Sequence, residues 1–431
     1  MIRKLIKVSL LFSVAFYAKN SFSQDTLNLN KAEAETVFLK NNLVLLAENL
    51  SISKAEARII QAKVWPNPTF TIDQINLWRP TNPTAEPIPP IFGNYNNQQV
   101  GISIEQLILT AGKRKKLIAL EKVGRDQSKH YFEEVLRGLK IEFRTLLNEL
   151  SYYQSQNEIY QSQLESINQL VTSYKNQVES GFLNKGEYIR LKAVSLDLVN
   201  HLNEIESSLN EVELDLKNLM NLPSTSQFTL AENRDESTQL NQLINLEFSS
   251  LVDTAYTHRP EFHISKLRQE YTQKHLAVER AEKVPNLTLI GSYDRGGSIY
   301  TDFIGFGVAL DIPVFNRNKG NIRIAELNIE EAKFNQDLVS SVIEKEVSSA
   351  LFNYRKSLNL NQQIEEGYEN ELDETITSYT ANFKNLNIDL IQYLDFFDAY
   401  LENKNIILQA TLELKNRAEE LNYAVGKDII K

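Results

Sequence analysis

Apolar residues recur at alternating steps of three and four along much of the chain. One series runs over 139–178, and after a short break the spacing resumes over 188–219. This spacing places apolar side chains on one face of a helix, and a seven-residue period gives left-handed supercoiling. At about 1.5 Å per residue, a helix over 112–180 would be about 100 Å long. The pattern predicts a long helical hairpin over about 112–221.

The second half of the chain repeats motifs of the first half. Residues 306–310 resemble residues 100–104, and residues 315–319 resemble residues 109–113. Both pairs are related by the same offset in residue number, which is what a duplication leaves. The chain is therefore expected to consist of two repeats with the same order of elements.

Each repeat is expected to contain a helix, two strands and a long helical hairpin. The first repeat covers 24–222 and the second covers 243–431. In the second repeat the helical pattern extends over about 319–425, with one continuous helix to about Thr380. Residues 223–242 are polar and rich in turn-forming residues, which predicts a linker packed on the outside.

Four short segments alternate apolar residues with small or polar ones. They lie at about 67–78, 97–106, 286–294 and 301–311. A period of two predicts β-strands with one apolar face. In the fourth segment the apolar positions are Ile304, Phe306, Val308 and Leu310. The first segment changes phase after Ile72, which predicts a β-bulge.

These strands have two possible interpretations. They could form a sheet packed on soluble helices, or part of a transmembrane barrel wall with the apolar face in lipid. Open edges are not tolerated in hydrocarbon, so a barrel would need strands from further copies of the chain. The proline-rich loop 79–98 would then be extracellular, and aromatic residues near the strand ends would form an interfacial belt. These aromatic residues are Trp65, Trp78, Tyr95, Tyr293 and Tyr300.

The composition excludes several classes of site and partner. The 431 residues include no Cys, which excludes disulfides, Cys-ligated metal sites, a thiol nucleophile and lipid attachment through an N-terminal Cys. The formal net charge of −10 argues against a nucleic-acid partner, because phosphate binding needs a concentrated basic surface. Neither G-x-S-x-G nor H-E-x-x-H occurs, so no enzymatic activity is expected.

The first residues have the layout of a secretory signal. Three basic residues precede the apolar stretch 8–18, and small residues follow at Ser21 and Ser23. A charged start, a short apolar run and a small-residue cleavage site are typical of signal peptides. Residues 1–23 are therefore expected to be removed; the alternative is a buried N-terminal helix.

Two polar groups of residues are candidate sites. His258, Glu261 and His263 could suggest a metal site, but no second pair has ligand spacing, so neither a metal nor a cofactor is expected. The basic run 113–116 either begins a solvated helix or contacts phospholipid headgroups, since basic clusters are attracted to anionic surfaces.

The chain resembles the TolC family of outer-membrane efflux ducts over essentially all of its mature length. The resemblance is carried by the duplicated plan and by four motifs: Trp65-Pro66-Asn67-Pro68, Thr110-Ala111-Gly112-Lys113-Arg114, His258-Arg259-Pro260-Glu261 and Pro313-Val314-Phe315-Asn316. The first two motifs look most like the heavy-metal branch of CzcC and CusC types. The chain departs from the family in lacking an N-terminal Cys and in having Arg317-Asn318 where many relatives have glycines.

The resemblance implies a mainly α-helical homotrimer in the outer membrane of a Gram-negative bacterium, extending into the periplasm. Four strands per chain would form a shared 12-stranded barrel in outer-membrane lipid, and twelve long helices would form a tunnel. The tunnel would meet a periplasmic adaptor and an inner-membrane pump, and would pass metal cations or small toxic compounds. The alternatives are a periplasmic coiled-coil adaptor or structural protein, which would not need amphipathic strands, and a diffusion porin, which would encode a full barrel.

Three sets of candidate site residues follow from this resemblance. The hairpin turns are expected to contact the adaptor, through Gly181, Phe182, Leu183, Lys384, Asn385, Leu386 and Asn387; the alternative is that Phe182 and Phe383 only plug the hairpin ends. Asp389 and Asp395 are expected to form a charged gate in a threefold assembly, with surface solvation as the alternative. The strand residues Ile304, Phe306, Val308 and Leu310 are expected to face lipid.

Overall fold

The structure, a computed structural model, describes residues 26–78, 97–230, 246–295, 302–365 and 367–430. The expected signal segment 1–23, residues 79–96 of the expected extracellular loop with Tyr95, residues 231–242 of the expected linker, and Tyr300 lie outside these ranges. The chain divides into two compact units. The hairpin unit comprises Met1–Leu46, Val135–His258 and Glu344–Lys431, and the sheet unit comprises Ala47–Glu134 and Arg259–Ile343.

Most of the described chain is helical. In chain order the helices are α1 Lys31–Asn41, α2 Leu43–Lys63, α3 Lys113–Glu179, α4 Lys185–Leu219, α5 Phe248–His258, α6 Pro260–Glu282, α7 Lys319–Gln362, α8 Tyr368–Lys384 and α9 Leu390–Val425. The longest, α3, contains 67 residues without interruption. Across the described ranges, no helix is both long and apolar enough to cross a bilayer.

Six strands form two sheets. They are β1 Thr26–Leu29, β2 Thr69–Trp78, β3 Asn97–Ile108, β4 Gln227–Leu230, β5 Leu287–Arg295 and β6 Asp302–Leu310. The four-stranded sheet has the order β2-β3-β5-β6, and all its pairs are antiparallel. Each repeat thus contributes two neighbouring strands to one sheet. A mainly α-helical fold with a small four-strand sheet was the fold class predicted from the sequence, and the structure confirms it.

A β-bulge interrupts the pairing of β2 with β3. Asp73 lies opposite Gly101 and Asn76 lies opposite Gln99, so two residues of β2 face one residue of β3. The extra residue moves the following side chains to the other face. This confirms the bulge that the phase change after Ile72 predicted.

The second repeat differs from the first in its long helix. The sequence pattern predicted one helix from about Lys319 to Thr380, but α7 ends at Gln362 and α8 begins at Tyr368. Gly367 precedes α8 with a φ of 90°, which lies outside the right-handed helical region. The apolar periodicity continues across this break, which is why the periodicity alone did not reveal it.

Part of the segment expected to be a linker is a strand. β4 pairs in parallel with β1, and Phe228 is almost completely buried. In the same unit, the Asn42 side-chain amide donates to the Leu219 carbonyl at 2.8 Å. The two strands of this sheet are separated by about two hundred residues, so no local pattern could indicate their pairing.

The core of the hairpin unit lies among α3, α4, α8 and α9. Its apolar members include Ile167, Leu191, Ile376 and Tyr393, one from each helix. The three-and-four spacing that predicted the helices also supplies this core. Four helices packed along one cluster are what two helical hairpins side by side require.

Candidate functional site

One face of the four-stranded sheet is apolar. A row across the strands joins Phe70, Ile104, Gly291 and Phe306, and the next row joins Ile72, Ile102, Tyr293 and Ile304. The four β6 residues singled out from the sequence are all more than half exposed, with Phe306 at 91%. An apolar surface of this extent is uncommon on a monomer in water and indicates an interaction surface.

The opposite face of the sheet carries small and polar residues. Gly101 lies between Asp73 and Asp294 in the cross-strand register, and Ser103 lies opposite Ser292. The Gln99 amide donates to the Asp294 carboxylate at 3.2 Å. The sheet therefore has one apolar face and one face of small and polar residues.

The two outer strands of this sheet are β2 and β6. Neither outer edge pairs with another strand within the described part of the chain. Because every neighbouring pair is antiparallel, β2 and β6 run in opposite directions. A β6 placed beside the β2 of another copy would therefore continue the antiparallel pattern.

The turns of the two helical hairpins have the same hydrogen bonds. The Phe182 amide donates to the Gln177 carbonyl and the Asn387 amide donates to the Asn382 carbonyl, both at 2.9 Å. This is the bond that closes a Schellman motif at a helix end. The equivalent left-handed positions are Gly181, with a φ of 78°, and Leu386, with a φ of 61°.

The turns combine exposed and buried side chains. Phe182 is 81% exposed and Leu386 is 71% exposed, whereas Leu183 is half-buried against the core. Phe383 is buried and stacks between Tyr174 and Tyr393, with ring centroids 5.4 and 4.6 Å away. Of the two phenylalanines, only Phe383 plugs the hairpin end. The remaining candidates, Gly181, Lys384, Asn385 and Asn387, are exposed.

The two turns lie at the same end of the hairpin unit. The aromatic stack joins Tyr174, near the end of α3, to Phe383 and Tyr393 on either side of the second turn. The Lys384 ammonium also lies 3.5 Å from the Gln169 side-chain oxygen. We call the exposed residues of both turns at this end the tip surface.

The two candidate gate residues lie on or beside α9. Asp389 is its N-cap: the carboxylate accepts from the Gln392 amide at 2.9 Å, and the Gln392 side chain accepts from the Asp389 amide. Asp395 is exposed. Burial, together with the neighbouring charges of Asp197 and Asp395, raises the pKa of Asp398. Sequence reasoning missed Asp197 and Asp398, which only the packing of α4 on α9 brings together.

The basic run 113–116 divides into internal and exposed members. The Lys113 ammonium is buried and lies 2.8 Å from the Asn286 side-chain oxygen and 3.1 Å from the Glu282 carboxylate. The Arg114 guanidinium lies over the Trp65 ring at 4.3 Å. Lys115 is exposed. Lys113 thus connects the start of α3 to residues that precede β5, and Arg114 connects it to a residue that precedes β2.

His258, Glu261 and His263, the candidate metal ligands, make other contacts. His263 stacks on His130 with ring centroids 5.0 Å apart, and Glu261 pairs with Arg259 at 3.0 Å. A ring nitrogen of His258 lies 3.0 Å from the Thr254 carbonyl. Within the ranges that the structure describes, no three His, Cys, Asp or Glu side chains converge as metal ligands would.

Solved structures share this architecture. CusC is 15% identical, with a TM-score of 0.71 and a match covering 96% of each chain. The outer-membrane protein VceC from Vibrio cholerae is 14% identical with a TM-score of 0.68, over 92% of this chain and 96% of its own. The Campylobacter jejuni outer-membrane channel CmeC is 16% identical with a TM-score of 0.70, over 92% of this chain and 85% of its own.

The fold is that of outer-membrane channels. The outer-membrane channels OprN and CmeC share it. No family model matches the sequence, and the comparison with curated proteins finds no significant match. The likeness is therefore one of structure, carried by the long hairpins and the four-stranded sheet.

Proposed function

We propose that the chain is the outer-membrane exit duct of a tripartite efflux system and a member of the TolC family. The observation that carries this proposal is the pairing of an exposed apolar sheet face with long helical hairpins in one chain. The apolar face, with Ile304, Phe306, Val308 and Leu310 on β6, would contact outer-membrane lipid. A periplasmic adaptor has no use for such a face, which makes that alternative weaker.

The duct would be a homotrimer. Four strands with two open edges cannot satisfy their backbone groups in hydrocarbon, and three copies would give one closed 12-stranded barrel. The even number of antiparallel strands in each copy supports closure, because the alternation continues from β6 of one copy to β2 of the next. Residues 1–23 would direct export and be removed.

The tip surface would bind a periplasmic adaptor that leads to an inner-membrane pump. Phe182 and Leu386 are exposed apolar residues at helix turns, where internal packing does not require them. Leu183, also expected there, is half-buried and would support the turn. At the same end, Asp389 and Asp395 would be repeated three times and favour cations at a narrowed opening.

The exported substrate would be a metal cation or another small toxic compound. Similarity to CusC is compatible with the heavy-metal branch, as are the Pro-Asn-Pro and Ala-Gly-Lys-Arg motifs. The only methionines are Met1 and Met220, so the chain offers no thioether path for Cu(I), and the pump would select the substrate.

Membrane fractionation tests the proposed function. The protein, expressed in a Gram-negative host, is expected in the outer-membrane fraction and to require detergent for release. Light scattering of the detergent-solubilised protein should give three chains per particle. Recovery in the soluble periplasmic fraction would support the adaptor alternative instead, and a stable monomer in detergent would exclude the shared barrel.

A further inference from the structure

The chain contains two copies of a segment that follows a strand and begins a long helix. We call 109–113 the first post-strand segment and 315–319 the second. In each, the residue before the helix has a left-handed backbone: φ is 67° at Gly112 and 55° at Asn318. Asn adopts this region more readily than most residues, which explains why it replaces glycine here. The two segments therefore share a left-handed residue directly before the helix and a lysine that begins the helix. They differ one residue earlier, where Ala111 is also left-handed, with a φ of 51°, and Arg317 is not.

The first post-strand segment is docked on residues 282–286, which precede β5. The Thr110 hydroxyl donates to the Pro285 carbonyl at 2.5 Å. The Lys113 ammonium contacts both Asn286 and Glu282 and is only 6% exposed. This docking accompanies the pairing of β3 with β5 and joins the two repeats.

The second post-strand segment is exposed. Phe315 is fully exposed, whereas its counterpart Leu109 is half-buried. Lys319 is exposed, whereas its counterpart Lys113 is buried. β5 pairs with one edge of β3, the strand that leads into the first post-strand segment. β6 is an outer strand of the sheet, so within the described chain no strand pairs with its corresponding edge.

Residues 63–67 have the sequence and position needed to fill that place. Trp65-Pro66-Asn67 matches Val284-Pro285-Asn286, and each triplet follows the end of a helix and precedes a strand. Val64 and Trp65 are about half exposed, at 51% and 52%. β2, which follows, is the other outer strand of the sheet.

We propose that the second post-strand segment of one copy docks on residues 63–67 of the next copy, as the first docks on 282–286 within the chain. The inference rests on the proposed assembly and specifies its contact surface. Asn316 then donates to the Pro66 carbonyl of the neighbouring copy, and Lys319 lies against Asn67. The same register places Leu310 opposite Ile72, as Ile104 lies opposite Gly291 within the chain.

One position differs between the two docking sites. Glu282 pairs with Lys113 within the chain, but the residue equivalent to Glu282 in the other site is Lys63, again the last residue of its helix. Lys319 would therefore meet a like charge in place of a carboxylate. Replacing Lys63 by Glu should create between copies the ion pair that already exists within the chain.

Disulfide cross-linking tests the proposed register, and the chain has no Cys to interfere. Ile72→Cys combined with Leu310→Cys should give cross-linked dimers and trimers under non-reducing denaturing conditions. Within one chain β2 and β6 are three strand spacings apart, about 14 Å, which is too far for a disulfide. Ile104→Cys with Gly291→Cys, the equivalent pair within the chain, should form a disulfide without increasing the mass.

Two further pairs test the alternatives. Thr71→Cys with Leu310→Cys should not cross-link, because a shift of one residue turns the side chain to the other face. If Ile72→Cys cross-links with Ile312→Cys and not with Leu310→Cys, the register is shifted by two residues and the proposal is overturned. Trimers that give no β2–β6 cross-link would also overturn the proposed contact, but they would remain compatible with the proposed function. Particles that are not trimers would contradict the proposed function itself.

The charge difference provides a gain-of-stability test. Lys63→Glu should raise the temperature at which detergent-solubilised trimers dissociate, and Lys319→Met in the same background should abolish that gain. Lys115→Glu makes the same change in charge at an exposed position nearby and should give no such increase. An equal rise with Lys115→Glu, or no rise with Lys63→Glu, would contradict the proposed contact.

Discussion

Leu386 occupies a backbone position that suits glycine. Its φ of 61° is left-handed, and the equivalent residue of the first turn is Gly181. Left-handed geometry costs a residue with a side chain about 1–2 kcal/mol. Leu386 is also largely exposed, so burial of its side chain within the chain does not offset this strain. A contact outside the chain, at the tip surface, would account for keeping leucine there.

Leu386→Gly should therefore separate stability from function. We expect the free energy of unfolding to rise by up to about 1 kcal/mol, because relief of backbone strain is partly offset by the greater freedom of glycine in the unfolded chain. Adaptor binding, measured by co-purification from cells, should fall. Phe182→Ala is the matched variant, which should weaken binding with little change in stability. Normal adaptor binding by a variant that carries both Leu386→Gly and Phe182→Ala would show that the tip surface does not bind the adaptor.

The sequence predicted the tip residues but not their individual environments. Phe182 and Phe383 are both phenylalanines at a hairpin end, and only the stack with Tyr174 and Tyr393 distinguishes the buried ring. That stack joins α3 to the second hairpin and has no local signature. The cap at Asp389 could have been found, because Gln392 follows it by three residues, the spacing of a capping box.

At the scale of elements, the apolar face of β6 carries the membrane hypothesis. Phe306→Arg should block assembly, since an arginine facing the bilayer midplane costs about 2–4 kcal/mol in each copy. Ala309→Arg, on the opposite face of the same strand, should assemble far better. Gly305 is unsuitable as the control, because a Cβ there would lie 2.8 Å from the Ser292 hydroxyl. Native mass measurement in detergent gives the trimer fraction, and equal loss in both variants would contradict a lipid-facing role.

The C-terminal segment after α9 is held in place by a cluster of charged side chains. Arg144 contacts Glu35, Glu419 and Asp428, and Lys140 lies 2.9 Å from Asp428. The Asn422 side chain accepts from the amides of Ile429 and Ile430. Burial alone would raise the pKa of Asp428, but hydrogen bonds from Arg144 and Lys140 outweigh it and hold the pKa below its usual value.

This lowered pKa predicts a pH-dependent attachment of the C-terminal segment. A depressed carboxyl pKa contributes stability above the unfolded value of about 3.9, and that contribution is lost as the pH falls through the lower folded value. Amide exchange at Ile429 and Ile430 should therefore become faster relative to the rest of α9 as the solution is acidified below about pH 4. Asp428→Asn should give fast exchange without this acid dependence. Equal protection in the variant and the unaltered protein would assign the attachment to Asn422 alone.

The sequence predicted most elements because their patterns are local. The spacing of α3 and the alternation of β6 each follow from neighbouring residues. The pairing of β1 with β4 depends on contacts between distant parts of the chain, and the break before α8 depends on the backbone at Gly367. Neither changes the apolar periodicity on which the predictions were based.

At the scale of the whole molecule, the duplication explains both the sheet and its incompleteness. Each repeat supplies two strands, and pairing of β3 with β5 joins the repeats, but nothing in the described chain joins β6 back to β2. The same docking used a second time, between copies, would close the barrel. A sequence of one chain reveals the repeats but not the number of copies, because that number depends on the angle between neighbouring strands.

The proposed gate would be a property of the assembly, since one carboxylate would become a ring only if three copies met. Asp389→Asn is the appropriate change because Asn also caps helices, so α9 keeps its start while each copy loses one negative charge. In planar bilayers we expect weaker cation selectivity and weaker block by trivalent cations, with trimers intact. Asp389→Ala would confound the test, because losing the cap costs about 1 kcal/mol. Unchanged selectivity and block in both Asp389→Asn and Asp395→Asn would leave these residues as a helix cap and a solvated side chain.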